Sequence, residues 1–139
     1  MASFIFNSAV EDEANGNIDY GSDTFKMMLV TSSYTADKDA HEKRDDVTNE
    51  VANGNGYTTG GVTVTCTVAK DNATDKTTLT FAAGNWTSST ITAAGAVIYK
   101  SRGGASSADE LVFYNDFGGD VSSSNTTFAV GSSVIAKQN

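Results

Sequence analysis

The run Val62-Thr63-Val64-Thr65-Cys66-Thr67-Val68 alternates an apolar side chain with a threonine at every step. A period of two matches the pleat of a β-strand, which would set three valines and Cys66 on one face and three hydroxyls on the other. A helix would scatter the same residues around its circumference. The residues that follow, Asp71-Asn72-Ala73-Thr74-Asp75, are of turn-forming type. Beyond them Lys76-Thr77-Thr78-Leu79-Thr80-Phe81 resumes the alternation with Leu79 and Phe81 inward. Residues 62 to 81 therefore predict a β-hairpin.

The same signals recur on both sides. The stretch DTFKMMLV from Asp23, GAVIYK from Gly95 and ELVFYNDF from Glu110 are short and largely apolar, as in strands covered on both faces. TTFAVGSSVIA from Thr126 predicts one or two closing strands about a turn or bulge at Gly131. Ser and Thr form about a quarter of the chain, glycine numbers 13 and proline is absent, a balance that suits short strands with polar outer faces. The reading is an all-β protein, an antiparallel β-sandwich of jelly-roll-like or immunoglobulin-like type, with about six to eight strands in a single domain over residues 1–139. Residues 39–53 break the pattern. Asp39 followed by Glu42 has capping-box spacing, and Arg44, Val47 and Val51 share a helical side, so a short surface helix is expected there. Residues 1–10, with Phe4, Ile5 and Phe6, fit either an N-terminal arm that reaches another subunit or a first strand of the sandwich.

Charge and composition narrow the partners. A formal charge of −8 disfavours neutralising phosphates or lying on anionic lipid, so neither nucleic acid nor membrane is expected. No apolar run approaches the ~20 residues that span a bilayer, and MASFIFNSAVEDE lacks the basic start and long apolar stretch of a secretion signal, which predicts a chain made in the cytoplasm. Cys66 is the single cysteine, set among valines as a small buried apolar side chain would be.

The residues that most resemble chemistry have plainer readings. Gly54, Gly56, Gly60 and Gly61 stand in the wrong order for a phosphate cradle, because a cradle needs strand, glycines, then helix, and here a polar segment precedes and a strand follows. A helix C-cap and a turn account for them. His41 is the lone histidine, without the companions a zinc or acyl-transfer site needs, and reads as an exposed first-turn side chain. Asp45 with Asp46, and Asp116 with Asp120, lack an apolar setting that would tune them for acid–base work. Asp71, Asn72 and Asp75 miss the ligand spacing of a calcium loop. Trp86 fits a core anchor better than an exposed contact. No catalytic, cofactor-binding or metal-ligating set is expected.

Taken together, GSDTFKMMLVTSSYTADKDAHEKRDDVTNEVANGNGYTTGGVTV, NWTSSTITAAGAVIYK and VFYNDFGGDVSSSNTTFAV resemble a family of small virion structural proteins of tailed bacteriophages. The shared elements are D-T-x-K-x-x-L-V-T-S-S-Y, D-A-H-x-x-R-D-D-V-T-N-E-V, G-x-G-Y-T-x-G-G and W-x-x-x-T-I-T-A-x-x-A-V-I-Y-K, in order over nearly the whole chain. Ala94-Gly95 and the ending VIAKQN depart from the pattern. The resemblance implies a particle component without enzymatic activity. Its favoured form is a capsid decoration or cement protein on the outer shell of the virion, whose partners are the major capsid protein and copies of itself. A tail component, in the tube or tail-end connector, and a glycan-binding module on a fibre using Tyr34, Tyr57 and Trp86 are the alternatives. Phe4, Ile5, Phe6, Tyr34, Arg44 and Tyr57 are the expected partner-contact residues, with Arg44 orienting the GNGYTTGG loop.

Overall fold

In the computed structural model, residues 2–138 are described. In chain order they form β1 (Phe4–Ile5), helix α1 (Asn7–Ala14), β2 (Phe25–Val30), β3 (Val62–Val64), β4 (Cys66–Asp71), β5 (Lys76–Phe81), β6 (Gly84–Ser89), β7 (Thr92–Lys100), β8 (Leu111–Ser122), β9 (Thr126–Val130) and β10 (Ser133–Gln138). All strand pairs among the described residues are antiparallel. A five-stranded sheet runs β1-β8-β7-β2-β3, and it is joined by a three-stranded sheet β10-β5-β4 and a two-stranded sheet β6-β9. The protein is therefore all-β and sandwich-like with one short α-helix, as the alternation predicts.

The hairpin forms as expected. β4 and β5 pair from Cys66↔Phe81 to Asp71↔Lys76, and the Asp71 carboxylate accepts from the Ala73 amide at 2.9 Å and the Thr74 hydroxyl at 2.8 Å to fix the turn. Thr65 interrupts the alternating run, so its first three residues join β2 in the large sheet and the rest lead the small one. The inward apolar face holds only near the core. Val64 is buried and Cys66 half-buried, but Val68 is 46% exposed, because the small sheet extends past the core at its hairpin end. Cys66 is thus less enclosed than expected, although burial still pushes its thiol up to about 11 and keeps it neutral.

Rings tie the sheets together. Phe25 of β2 meets Phe81 of β5 edge-on at 5.4 Å, and Tyr20 stacks on Phe25 at 5.6 Å. At the other end Trp86 of β6 packs between Tyr57 and Phe128. Trp86 is a core residue, as its size predicted.

Helix position is the main correction. Residues 39–53 form no α-helix; only Arg44–Asp46 makes a 3-10 turn. Two physical reasons account for this. The Asp37 carboxylate caps the amides of Asp39 and Ala40, and the Asp46 carboxylate those of Glu42 and Lys43, so side chains take the donors a helix would use. The segment also bonds to strand ends: Leu111 N–H donates to Glu42 O, Arg44 N–H to Asp109 O, and Val51 N–H to Leu29 O. Tertiary pairing outweighs a thin apolar stripe. The observed helix lies instead at residues 7–14, starting within the expected N-terminal arm (residues 1–10) and running past its end, with Ala9 fully buried.

Candidate functional site

The 31-residue passage from Thr31 to Gly61 contains no named strand, yet it lies fixed on the sandwich. A chain of polar contacts holds it. The Tyr57 hydroxyl accepts from the Leu29 amide at 3.1 Å and donates to Glu50 at 2.7 Å; the Gly60 amide donates to the same Glu50 oxygen at 2.6 Å. Gly60 in turn accepts, through its carbonyl, the Tyr99 hydroxyl at 2.6 Å. The Arg44 guanidinium sits 5.1 Å from the centre of the Tyr99 ring and its Nε donates to Asp109 at 2.9 Å. Asp109 also accepts the Arg102 amide at 2.9 Å, and the Arg102 guanidinium donates to Glu110 through Nε and Nη2.

Each link has a reason. Asp109 and Glu110 are buried consecutive carboxylates, a placement that is tolerated only with charged partners, here one arginine each. Burial pushes the Tyr99 phenol up to about 12, and burial with the Glu50 carboxylate pushes Tyr57 well above the ordinary phenol range, so both act as neutral donors. Gly61 closes the passage. Its φ is +78°, and an added Cβ would lie 1.8 Å from the Met27 carbonyl oxygen, so the chain needs glycine there to lie against β2. No helix precedes Gly54, so the C-cap reading fails; Gly54 and Tyr57 exchange backbone hydrogen bonds in a tight turn.

The six expected contact residues divide. Phe6 is fully buried, its amide bonded to Val112 O, and Phe4 and Ile5 pair with β8 of their own chain. Phe4 and Ile5 thus form a short first strand, while Phe6 lies past its end as the N-cap of helix α1, buried and not free to dock elsewhere. Tyr34 and Tyr57 are also interior. With Trp86 buried as well, the three rings named for sugar stacking offer no face to a glycan. Arg44, in the 3-10 turn Arg44–Asp46 and not in an α-helix, lies over the Tyr99 ring, whose hydroxyl bonds to Gly60 of the GNGYTTGG loop. His41 is half-buried: its ring stacks on Tyr34 and Nδ1 accepts the Asp37 amide at 3.2 Å, in place of the exposed side chain expected.

Among the described residues no group of His, Cys, Asp and Glu could hold a metal ion. Compared with family models, curated proteins and solved structures, the chain matches none. What remains is a locked surface. Asp37, Asp39, Glu42, Asp45 and Asp46 stand exposed along it, while Glu50, Tyr99, Asp109 and Glu110 secure it from beneath. Sequence reasoning missed those four. Only the adjacent acids at the start of an apolar run, Asp109-Glu110-Leu111-Val112, hinted that a carboxylate pair would be drawn inside.

Proposed function

We propose that this chain is a structural component of a tailed-phage virion, of the decoration or cement type, which binds the outer shell and bridges major capsid subunits. One observation carries the reading: the Thr31–Gly61 passage, which holds the most distinctive motifs of the resemblance, is a rigid acidic surface secured by the Tyr57–Glu50 and Arg44–Asp109 contacts. A cement module works by adhesion. Its surface must be preorganised, because ordering a loop on binding would consume part of a modest interface energy. Many copies on one shell then add by avidity. The contact shifts from the N-terminal trio, which serves its own fold, to the exposed side chains of this passage.

The test is direct. Purified chain is mixed with undecorated heads and the pelleted fraction measured. Asp45 is exposed and outside the network, so Asp45→Lys should weaken binding while leaving the circular-dichroism spectrum unchanged. Recovery of the chain only with purified tails, and none with heads, would favour the tail-component reading.

A further inference from the structure

We propose that Asn55 is a site of spontaneous covalent modification, at which the side-chain amide nitrogen leaves as ammonia and the residue becomes aspartate or isoaspartate. The inference does not depend on the proposed function. Three asparagines precede a glycine in this chain, Asn15, Asn53 and Asn55. A following glycine leaves the next backbone nitrogen unshielded by any side chain, so all three have the same chemical opportunity. The fold separates them. Asn55 and Gly56 are the two central residues of the tight turn in which Gly54 N–H donates to Tyr57 O at 2.8 Å and Tyr57 N–H to Gly54 O at 3.0 Å. Their φ values, +54° and +90°, are those of a type I′ turn. Both residues are exposed, and among the described residues neither the Asn55 side chain nor the Gly56 N–H has a hydrogen-bond partner.

That geometry opens a route. Flipping the peptide unit between Asn55 and Gly56 converts type I′ into type II′, keeps both Gly54–Tyr57 bonds and gives up only the bond from Thr90 N–H to Asn55 O. In type II′ the ψ of the first central residue is about −120°, which for an L residue swings the following nitrogen round to the Cβ side, within reach of the side-chain carbon. Hydroxide takes the Gly56 amide proton, the nitrogen attacks Asn55 Cγ, and the Cγ–Nδ2 bond breaks as ammonia leaves with a proton from water. Water then opens the five-membered imide. Cleavage of the new bond to Cγ gives aspartate; cleavage of the bond to the main-chain carbonyl carbon gives isoaspartate.

The other two asparagines are held back. Asn53 Oδ1 accepts the Thr59 N–H at 3.1 Å, and the Gly54 nitrogen beside it is the donor to Tyr57. Asn15 is the C-cap of α1 with φ −84° and ψ −2°. A peptide flip from there leads to a ψ of about +120°, with the Gly16 nitrogen turned away from the side chain, and that nitrogen is bonded to Glu13 O. Either product at Asn55 adds a negative charge to the acidic Thr31–Gly61 passage. Aspartate keeps the turn, since Asp-Gly also suits type I′; isoaspartate inserts a methylene into the backbone between the paired Gly54 and Tyr57.

Incubation of the folded chain in warm, mildly alkaline buffer, followed by proteolysis and fragmentation mass spectrometry, tests this. A parallel sample in urea gives the rates without the fold. In urea all three asparagines should gain one mass unit at comparable rates. In the folded chain Asn55 should convert fastest, at least about fivefold ahead of Asn53, the factor that one further hydrogen bond of ordinary strength is worth. Isoaspartyl methyl labelling should mark the same residue. Asn55→Gln, whose longer side chain closes the imide far less readily, should lose the leading acidic species on ion exchange while its circular-dichroism spectrum stays unchanged. Conversion of the folded chain led by Asn15 or Asn53, or an Asn55 that stays intact while the urea sample converts, would overturn the inference. So would the same preference for Asn55 with and without urea, or an Asn55→Gln chain that gains the acidic species as fast as wild type.

Discussion

The Tyr57 hydroxyl donates to the Glu50 carboxylate at 2.7 Å from inside the sandwich. The same oxygen accepts the Leu29 amide of β2, so one phenol joins the Thr31–Gly61 passage to the central sheet. Tyr57→Phe would strip a partner from a buried amide and from a half-buried carboxylate while the ring still fills its place beside Trp86. The expected loss is about 1–3 kcal/mol, read by urea denaturation. Glu50→Gln, which keeps an acceptor oxygen for Tyr57 and Gly60, should cost less. Equal stability of Tyr57→Phe and wild type would show that the hydroxyl does not anchor the passage.

Glycines in this chain are not equivalent, and a matched pair separates them. Gly61→Ala places a methyl on the Met27 carbonyl in a left-handed backbone conformation. It should cost more than about 4 kcal/mol or prevent folding. Gly119 has open space around it and no positive φ, so Gly119→Ala should stay within about 0.5 kcal/mol of wild type. Thermal denaturation of the two variants side by side gives the comparison.

Two aspartates make the edge of the acidic passage sensitive to acid. Hydrogen bonds from Ala40 and Asp39 lower the Asp37 carboxyl below its ordinary 3.8, and those from Glu42 and Lys43 lower Asp46 likewise. For a carboxylate lowered in the folded state, the stabilisation is complete above 3.8 and fades as pH falls through the lower folded value. Protection of the Asp39, Ala40, Glu42 and Lys43 amides, taken relative to the intrinsic exchange rate at each pH, should therefore fall below that pH and hold above it. Asp46→Asn should expose the Glu42 and Lys43 amides at neutral pH while sparing Asp39 and Ala40.

How much of this was legible in the sequence depends on whether the signal is local. Alternation at Val62–Val68 and Lys76–Phe81 reports a face directly, and β2, β7, β8, β9 and β10 all fall where apolar runs predict them. β6 escaped because Gly84-Asn85-Trp86-Thr87-Ser88-Ser89 shows one large apolar residue; its Ser89 is buried on the strength of hydrogen bonds to Ser123 and to backbone carbonyls. The helix was misplaced because the aspartates of this segment can cap a helix or seize the backbone in turns, as Asp37 and Asp46 do, and the choice fell to Leu29, Asp109 and Leu111, remote in sequence. The site shows the same division. Arg44 and Tyr57 were singled out, but Asp109 lies 65 residues from Arg44, a pairing no local pattern encodes.

That pairing supplies the last prediction. Arg44 carries two duties at once, charge balance for Asp109 and a cation over the Tyr99 ring whose hydroxyl holds Gly60. Removing the guanidinium by Arg44→Met keeps much of the aliphatic stem but leaves a buried carboxylate with the Arg102 amide as its remaining donor. Breaking one side of a buried ion pair costs about 3–5 kcal/mol. Arg44→Lys restores charge but neither the planar stacking nor the directed Nε bond, and should recover only part of that loss. The double variant Arg44→Met/Asp109→Asn removes both charges, so it should be more stable than Arg44→Met alone. Chemical denaturation of these variants together with the Asp109→Asn single variant closes a double-mutant cycle that measures the coupling; additive losses at the two positions would mean that the ion pair does not fix the passage, and that the Tyr57–Glu50 contact carries it alone.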